Sequence, residues 1–153
     1  MRRVVVLFVL LATTAAAATP PLQVQRRNHL RFGQILPGAP ATVAWNDAAR
    51  AGQYRILGNR NSEVLVDFLL PTELQGRRGQ TIPVSFGPGD AVYAPNGNLG
   101  SAVPFDPRVP TTVRLPASGR VFIFLGGTAL PPSQAVSGRY RARAAISVTY
   151  TGN

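Results

Sequence analysis

The sequence predicts an all-β domain, a sandwich or a barrel, and three observations carry that reading. Short apolar runs, several alternating with period two, recur from residue 30 to residue 150, and each is closed by Gly, Pro, Asn or Asp. The 15 glycines and 14 prolines among 153 residues are too many turn formers for a helical bundle. No stretch of helical length after residue 18 keeps a helical apolar period. With 45% hydrophobic and 14% charged residues the chain is too apolar to stay disordered, and its length suits one domain.

The elements follow in order. Met1-Arg2-Arg3, the apolar run 4–11 and the alanines Ala15 to Ala18 have the layout of a secretory signal peptide, with cleavage between Ala18 and Thr19. The apolar stretch is shorter than the roughly 20 residues a bilayer needs, so no transmembrane segment is expected after cleavage. Residues 19–29 read as a polar, proline-containing leader and residues 30–153 as a single β-domain. Strands are expected at 30–35, 42–45, 53–57, 64–70, 81–86, 91–93, 111–115, 120–125 and 139–150, with at most one helical turn at 48–52. Each run stops at a turn signal such as Pro37-Gly38, Asn46-Asp47 or Gly58-Asn59.

Two runs are informative in detail. In the last one Tyr140, Ala142, Ala144, Ile146, Val148 and Tyr150 share one face, and Arg139, Arg141 and Arg143 begin the other. Such alternation means one face buried and one wet, so a charge at Ile146 or Val148 is expected to be severe and one at Ser147 mild. At 120–125, Val121, Ile123 and Leu125 face one way and Phe122 and Phe124 the other. Both faces are apolar, so the second is either covered or open as a groove.

The chain has little catalytic equipment. With no cysteine it has no disulfide, thiolate metal site or thiol nucleophile. His29 is the single histidine and sits among Arg26, Arg27 and Arg31, which disfavour its charged form. The six carboxylates, Asp47, Glu63, Asp67, Glu73, Asp90 and Asp106, are scattered singly, several in turn contexts where an Asx-turn is the ordinary role. No calcium loop or phosphate loop is present, and Gly126-Gly127 reads as a bulge or turn. Neither a catalytic residue nor a cofactor is expected.

The charge is +10, and +8 once the signal peptide takes Arg2 and Arg3 away, because 14 arginines then face six carboxylates. Every basic residue is arginine, as GC-rich coding alone would give. Clusters occur at Arg26/Arg27/Arg31, at Arg77/Arg78 and along Arg139, Arg141 and Arg143. The last is a candidate face for anions and equally a charged guard against edge-to-edge pairing. An exported protein does not meet nucleic acid by design, so nucleic acid is not an expected partner.

Four segments carry a resemblance. Leu30-Arg31-Phe32-Gly33-Gln34-Ile35, Phe68-Leu69-Leu70-Pro71, Leu125-Gly126-Gly127-Thr128-Ala129-Leu130, and Gly138-Arg139-Tyr140 followed by Ile146-Ser147-Val148-Thr149-Tyr150 occur in that order. Together they resemble an uncharacterised family of bacterial secreted domains related to the spore coat protein U domain and to chaperone–usher (fimbrial) pilins. The resemblance implies an immunoglobulin-like (pilin-like) antiparallel β-sandwich in the periplasm or at the cell surface. It implies a structural or adhesive role, self-association or other pilus subunits as partners, and a periplasmic chaperone. For pilins it also implies donor-strand exchange, in which a neighbour's N-terminal segment completes the subunit.

Leu22 and Val24 are the candidate donor side chains. Arg26 and Asn28 follow them on the same face, and burying Arg26 unpaired would cost several kcal/mol. Residues 19–29 therefore read either as a donor or as the first strand of a self-sufficient sandwich. The rival function is a discrete secreted module that binds anionic glycans through Arg139, Arg141 and Arg143.

Overall fold

The computed structural model describes residues 21–152, so the expected signal segment and its cleavage point at Ala18 and Thr19 lie outside the described residues. In chain order the strands are β1 (Gln23–Asn28), β2 (Gln34–Ile35), β3 (Ala41–Val43), β4 (Gly52–Leu57), β5 (Glu63–Leu69), β6 (Glu73–Gln75), β7 (Thr81–Ser85), β8 (Ala91–Pro95), β9 (Val103–Phe105), β10 (Thr111–Arg114), β11 (Arg120–Leu125), β12 (Gly127–Ala129), β13 (Gly138–Arg139) and β14 (Ala145–Tyr150). Two 3-10 turns, Arg77–Gly79 and Leu99–Ser101, are the described helical elements. The fold is all-β, and every strand pairing is antiparallel. No described helix is long and apolar enough to cross a membrane.

Five strands form one sheet in the order β1-β4-β11-β8-β9, and three form another in the order β10-β5-β14. A third sheet, β3-β12-β7-β6, and the pair β13-β2 complete the set. The alternation of the sequence sets the core. Val64, Val66 and Phe68 of β5 point inward and are buried, while Leu65, Asp67 and Leu69 are exposed. Opposite them, Tyr54 and Ile56 of β4 and Val121, Ile123 and Leu125 of β11 are buried as well. Tyr54 meets Phe68 edge-on with ring centres 5.6 Å apart, and Phe68 stacks on Phe105 of β9 at 6.4 Å, so one core joins the five-stranded and three-stranded sheets.

Gly126 marks where the chain leaves one sheet for another. β11 ends at Leu125 and β12 starts at Gly127, and a Cβ on Gly126 would collide with the Val43 carbonyl. Its N–H donates to the Asp90 carbonyl at 2.7 Å.

Several sequence expectations are refined here. Residues 23–28, read as part of the leader, are paired along β4 from Gln23↔Leu57 to Asn28↔Gln53. Residues 30–33 form no strand, and only Gln34–Ile35 of that run pairs. The strand expected over 139–150 is one extended segment that changes partners. Gly138 and Arg139 pair β2, Arg141 bridges Gln75, and residues 145–150 pair β5. Its alternation survives the changes, because even-numbered residues 140–150 are covered more than their odd-numbered neighbours. β11 pairs β4 on one side and β8 on the other, and its second face, Phe122 and Phe124, is half-buried, with Phe122 against Gly97.

Candidate functional site

β1 and β14 are the last strands of their sheets. Among the described residues β1 pairs β4 alone and β14 pairs β5 alone, so each leaves one row of backbone N–H and C=O groups without a described strand partner. Register fixes what each presents to the core. Gln25 lies opposite Arg55, and the Arg55 guanidinium donates to Gln25 Oε1 at 2.7 Å on the outer face. Val24, opposite Ile56, and Arg26, opposite Tyr54, therefore point inward. On β14 the inward residues are Ile146, Val148 and Tyr150, opposite Phe68, Val66 and Val64.

Coverage falls sharply at these two strands. Ile56 is 0% exposed, whereas Val24, beside it on the same face, is 38% exposed. Phe68, Val66 and Val64 are buried, whereas Ile146, Val148 and Tyr150 are half-buried. Apolar side chains that face the core are thus left partly in water along one seam. At one end the seam is pinned around Gly58, whose backbone lies against Leu22, Leu115 and Tyr150. There the Tyr150 hydroxyl accepts from the Asn59 N–H at 2.8 Å. At the other end the chain loses regular pairing on both sides, at residues 29–33 and 142–144.

That second end is a narrow apolar cleft with a basic rim. Buried Phe32, Tyr54, Leu74, Phe86 and Tyr140 line it together with half-buried Leu30, Ala142 and Ala144, and exposed His29 and Arg143 stand at its edge. The Tyr54 hydroxyl donates to the Ala144 carbonyl at 3.4 Å. Burial raises the Tyr54 phenol above its usual value, and the nearby Arg26 guanidinium pulls it back. His29 is held below its ordinary value, first by partial desolvation and then by Arg26, Arg31 and Arg143. Among the described residues the ion pairs are Arg50–Asp47 and Arg108–Asp106, so these three arginines have no carboxylate partner.

The candidate anion face is split between two clefts. Arg139 and Arg141 line an open groove of about 660 Å³ with Arg77, Gln75, Gln80 and Tyr140. Arg143 belongs instead to the rim beside His29. The split follows from the change of partners along residues 138–145, which carries each arginine past a different strand.

The carboxylates hold turns. Asp47 Oδ1 accepts from the N–H of Ala49 at 3.1 Å and of Arg50 at 3.0 Å. Asp90 Oδ2 accepts from Gly87 N–H at 2.7 Å, and Asp106 Oδ1 from Arg108 N–H at 3.0 Å. Among the described residues no three of His, Asp and Glu gather where they could hold a metal ion.

The candidate donor residues Leu22 and Val24 stand on the chain's own β1 side of the seam, Leu22 near Tyr150 across Gly58. Sequence reasoning placed Ile146, Val148 and Tyr150 in the core and so missed that they line an opening. The available signal was Arg26 on the inward face of residues 22–26, where a covered strand would carry apolar groups; Asn28, expected on that face, is turned to the other one by a bulge that sets it opposite Gln53. No protein-family model and no curated protein matches the chain.

Proposed function

We propose that the protein is an exported, non-enzymatic structural or adhesive subunit of a bacterial surface, and that the seam between β1 and β14 accepts an extended strand from another chain. One observation carries the reading: core-facing Val24, Ile146 and Val148 are left partly uncovered between two strand edges that no described strand pairs. The strand order supports it. An immunoglobulin-like sandwich places four strands in the order A-B-E-D against C-F-G. Here β1-β4-β11-β8, extended by β9, faces β5-β14, with β10 on the far side of β5, which supports that finer type with no described strand in the seventh position beside β14. An added strand would satisfy the β14 edge by β-addition and cover the inward side chains. Half-burying three or four apolar side chains is worth about 1 kcal/mol each, and each ladder hydrogen bond about as much again. The signal-peptide-like layout of residues 1–18 and the pilin resemblance support export to the periplasm or cell surface, with a chaperone strand as a transient occupant.

The test is the native mass and melting of the exported chain, residues 19–153, with and without an alternating Val/Thr strand joined after Asn153 by a glycine-rich turn. The expected outcome is a marginal or laddering parent and a fused chain that melts about 10 °C higher. A monomer whose melt the fusion leaves unchanged would remove the strand-acceptor reading.

A second reading, a discrete module for anionic glycans, is supported by the groove that brings Arg77, Arg139 and Arg141 together without a carboxylate. It predicts retention on immobilised heparin that drops when Arg139 and Arg141 become Ser and persists in Arg143→Ser. Equal retention by all variants would sink it.

A further inference from the structure

The seam is apolar along its length but basic at one end, and that asymmetry narrows its occupant. We infer that the strand it accepts is an acid-bearing segment of a different protein, apolar at alternate positions with a carboxylate over Arg26, and not a second copy of residues 22–28. The inference rests on the strand-acceptor reading above.

Arg26 is fixed in place by register. It sits opposite Tyr54, whose ring is buried, so its side chain leaves β1 on the inward face, where an added strand would cover it. Arg143 stands with His29 at the rim of the cleft, Arg26 and Arg31 lie close enough to act on the His29 charge, and no described carboxylate pairs with any of the three arginines. Covering a guanidinium without a partner is costly, whereas a carboxylate on the incoming strand would meet it with charge-assisted hydrogen bonds. Beyond Arg26 the seam presents Val24, Ile146 and Val148, which call for apolar plugs on the same face of the occupant.

This chain cannot supply such a segment. Residues 22–28 read Leu-Gln-Val-Gln-Arg-Arg-Asn, with two arginines and no acid, and would set like charges against Arg26 and Arg143. All six carboxylates lie elsewhere. Asp47, Asp90 and Asp106 hold turns, Glu63 and Asp67 lie in β5 between two partner strands, and Glu73 is in β6. The complementary chemistry belongs to another polypeptide.

The test refolds residues 19–153 with labelled peptides on one alternating Val/Thr frame that differ only at the position over Arg26, Glu against Lys. The chain's own segment 19–28 and a scrambled Glu peptide complete the set. The expected result is that the Glu peptide binds about tenfold more tightly than the Lys peptide. That gap should narrow with salt and close in Arg26→Gln, whose melting temperature should match the parent because Arg26 is exposed. Equal binding of Glu and Lys peptides, or tightest binding by segment 19–28, would overturn the inference and leave the strand-acceptor reading standing. Binding of the scrambled peptide as tight as the ordered one would reduce the effect to bulk charge and overturn the inference as well. No binding by any peptide would remove the strand-acceptor reading, and the inference with it.

Discussion

β11 and β14 are written in the same alternating code and end in opposite situations. Val121, Ile123 and Leu125 of β11 are each 0% exposed, because β4 and β8 flank the strand and β5 faces its sheet across the core. Ile146, Val148 and Tyr150 of β14 have the same period and comparable size, yet remain half-buried, because β5 lies on one side and nothing described pairs the other. β1 repeats the lesson beside β4. Alternation states which way a side chain faces; its neighbours in the sheet decide how much water that leaves. Function is best sought where the two disagree.

The sharpest way to break the comparison is to place one charge in each region. Ile123→Asp buries a carboxylate between two paired strands and should cost about 4 kcal/mol or more, enough to unfold the domain. Val148→Asp can turn its carboxylate into the open seam and should cost about 1–2 kcal/mol, with Ser147→Asp, exposed but opposite Asp67, costing about 0.5 kcal/mol. Denaturant midpoints of the variants measure this directly. Equal damage at Ile123 and Val148 would mean that the seam is closed in solution.

How far the fold was legible follows the same division. β4, β5, β7, β10 and β11 lie within a residue or two of the runs read from the sequence, because each has alternating apolar residues and a strong stop such as Pro71 or Gly58-Asn59. β6, β9 and β12 were not legible. They are three-residue strands such as Val103–Phe105, too short to show a period, and their pairing is set by the strands beside them. β1 was legible only as one of two alternatives, a donor or a first strand, because Gln, Arg and Asn mask a strand whose ladder to β4 depends on backbone groups. Of the candidate site, the arginines and the apolar face of residues 140–150 were readable. The seam was not, since an unfilled position in a sheet is a property of topology and leaves no residue of its own.

A smaller effect sharpens the seam's closed end. Tyr150→Phe removes the hydroxyl that accepts from Asn59 N–H while keeping the ring. The expected cost is about 1 kcal/mol, and amide exchange at Asn59 should quicken. An unchanged Asn59 exchange rate would show that the hydroxyl does not hold that end.

The smallest expected effect compares the two outer ends of the five-stranded sheet. Beyond β9, Arg108 is paired with Asp106 in a two-pronged contact, Nε to Oδ1 at 2.9 Å and an outer guanidinium nitrogen to Oδ2 at 2.6 Å. The Arg108 side chain first, and its backbone N–H next, hold the Asp106 carboxyl at about 2, below its ordinary 3.8. A folded value below the unfolded one favours the charged form in the native state. The stabilisation is therefore complete above 3.8 and lost as the pH falls toward about 2, and Asp106→Asn should flatten that window of the melting curve. At the β1 end the arginines have no described carboxylate partner, and His29 is the group that responds. Its folded value also lies below the ordinary 6.5, so the neutral imidazole is favoured and stability declines as the pH falls below that value. As the single histidine it gives one imidazole resonance, and its titration reads the burial and the charge of this end of the seam. Arg26→Gln should move that titration upward, and an occupant that brings a carboxylate to Arg26 should move it the same way. If neither does, the positive field at the seam is too well screened by solvent to select a partner.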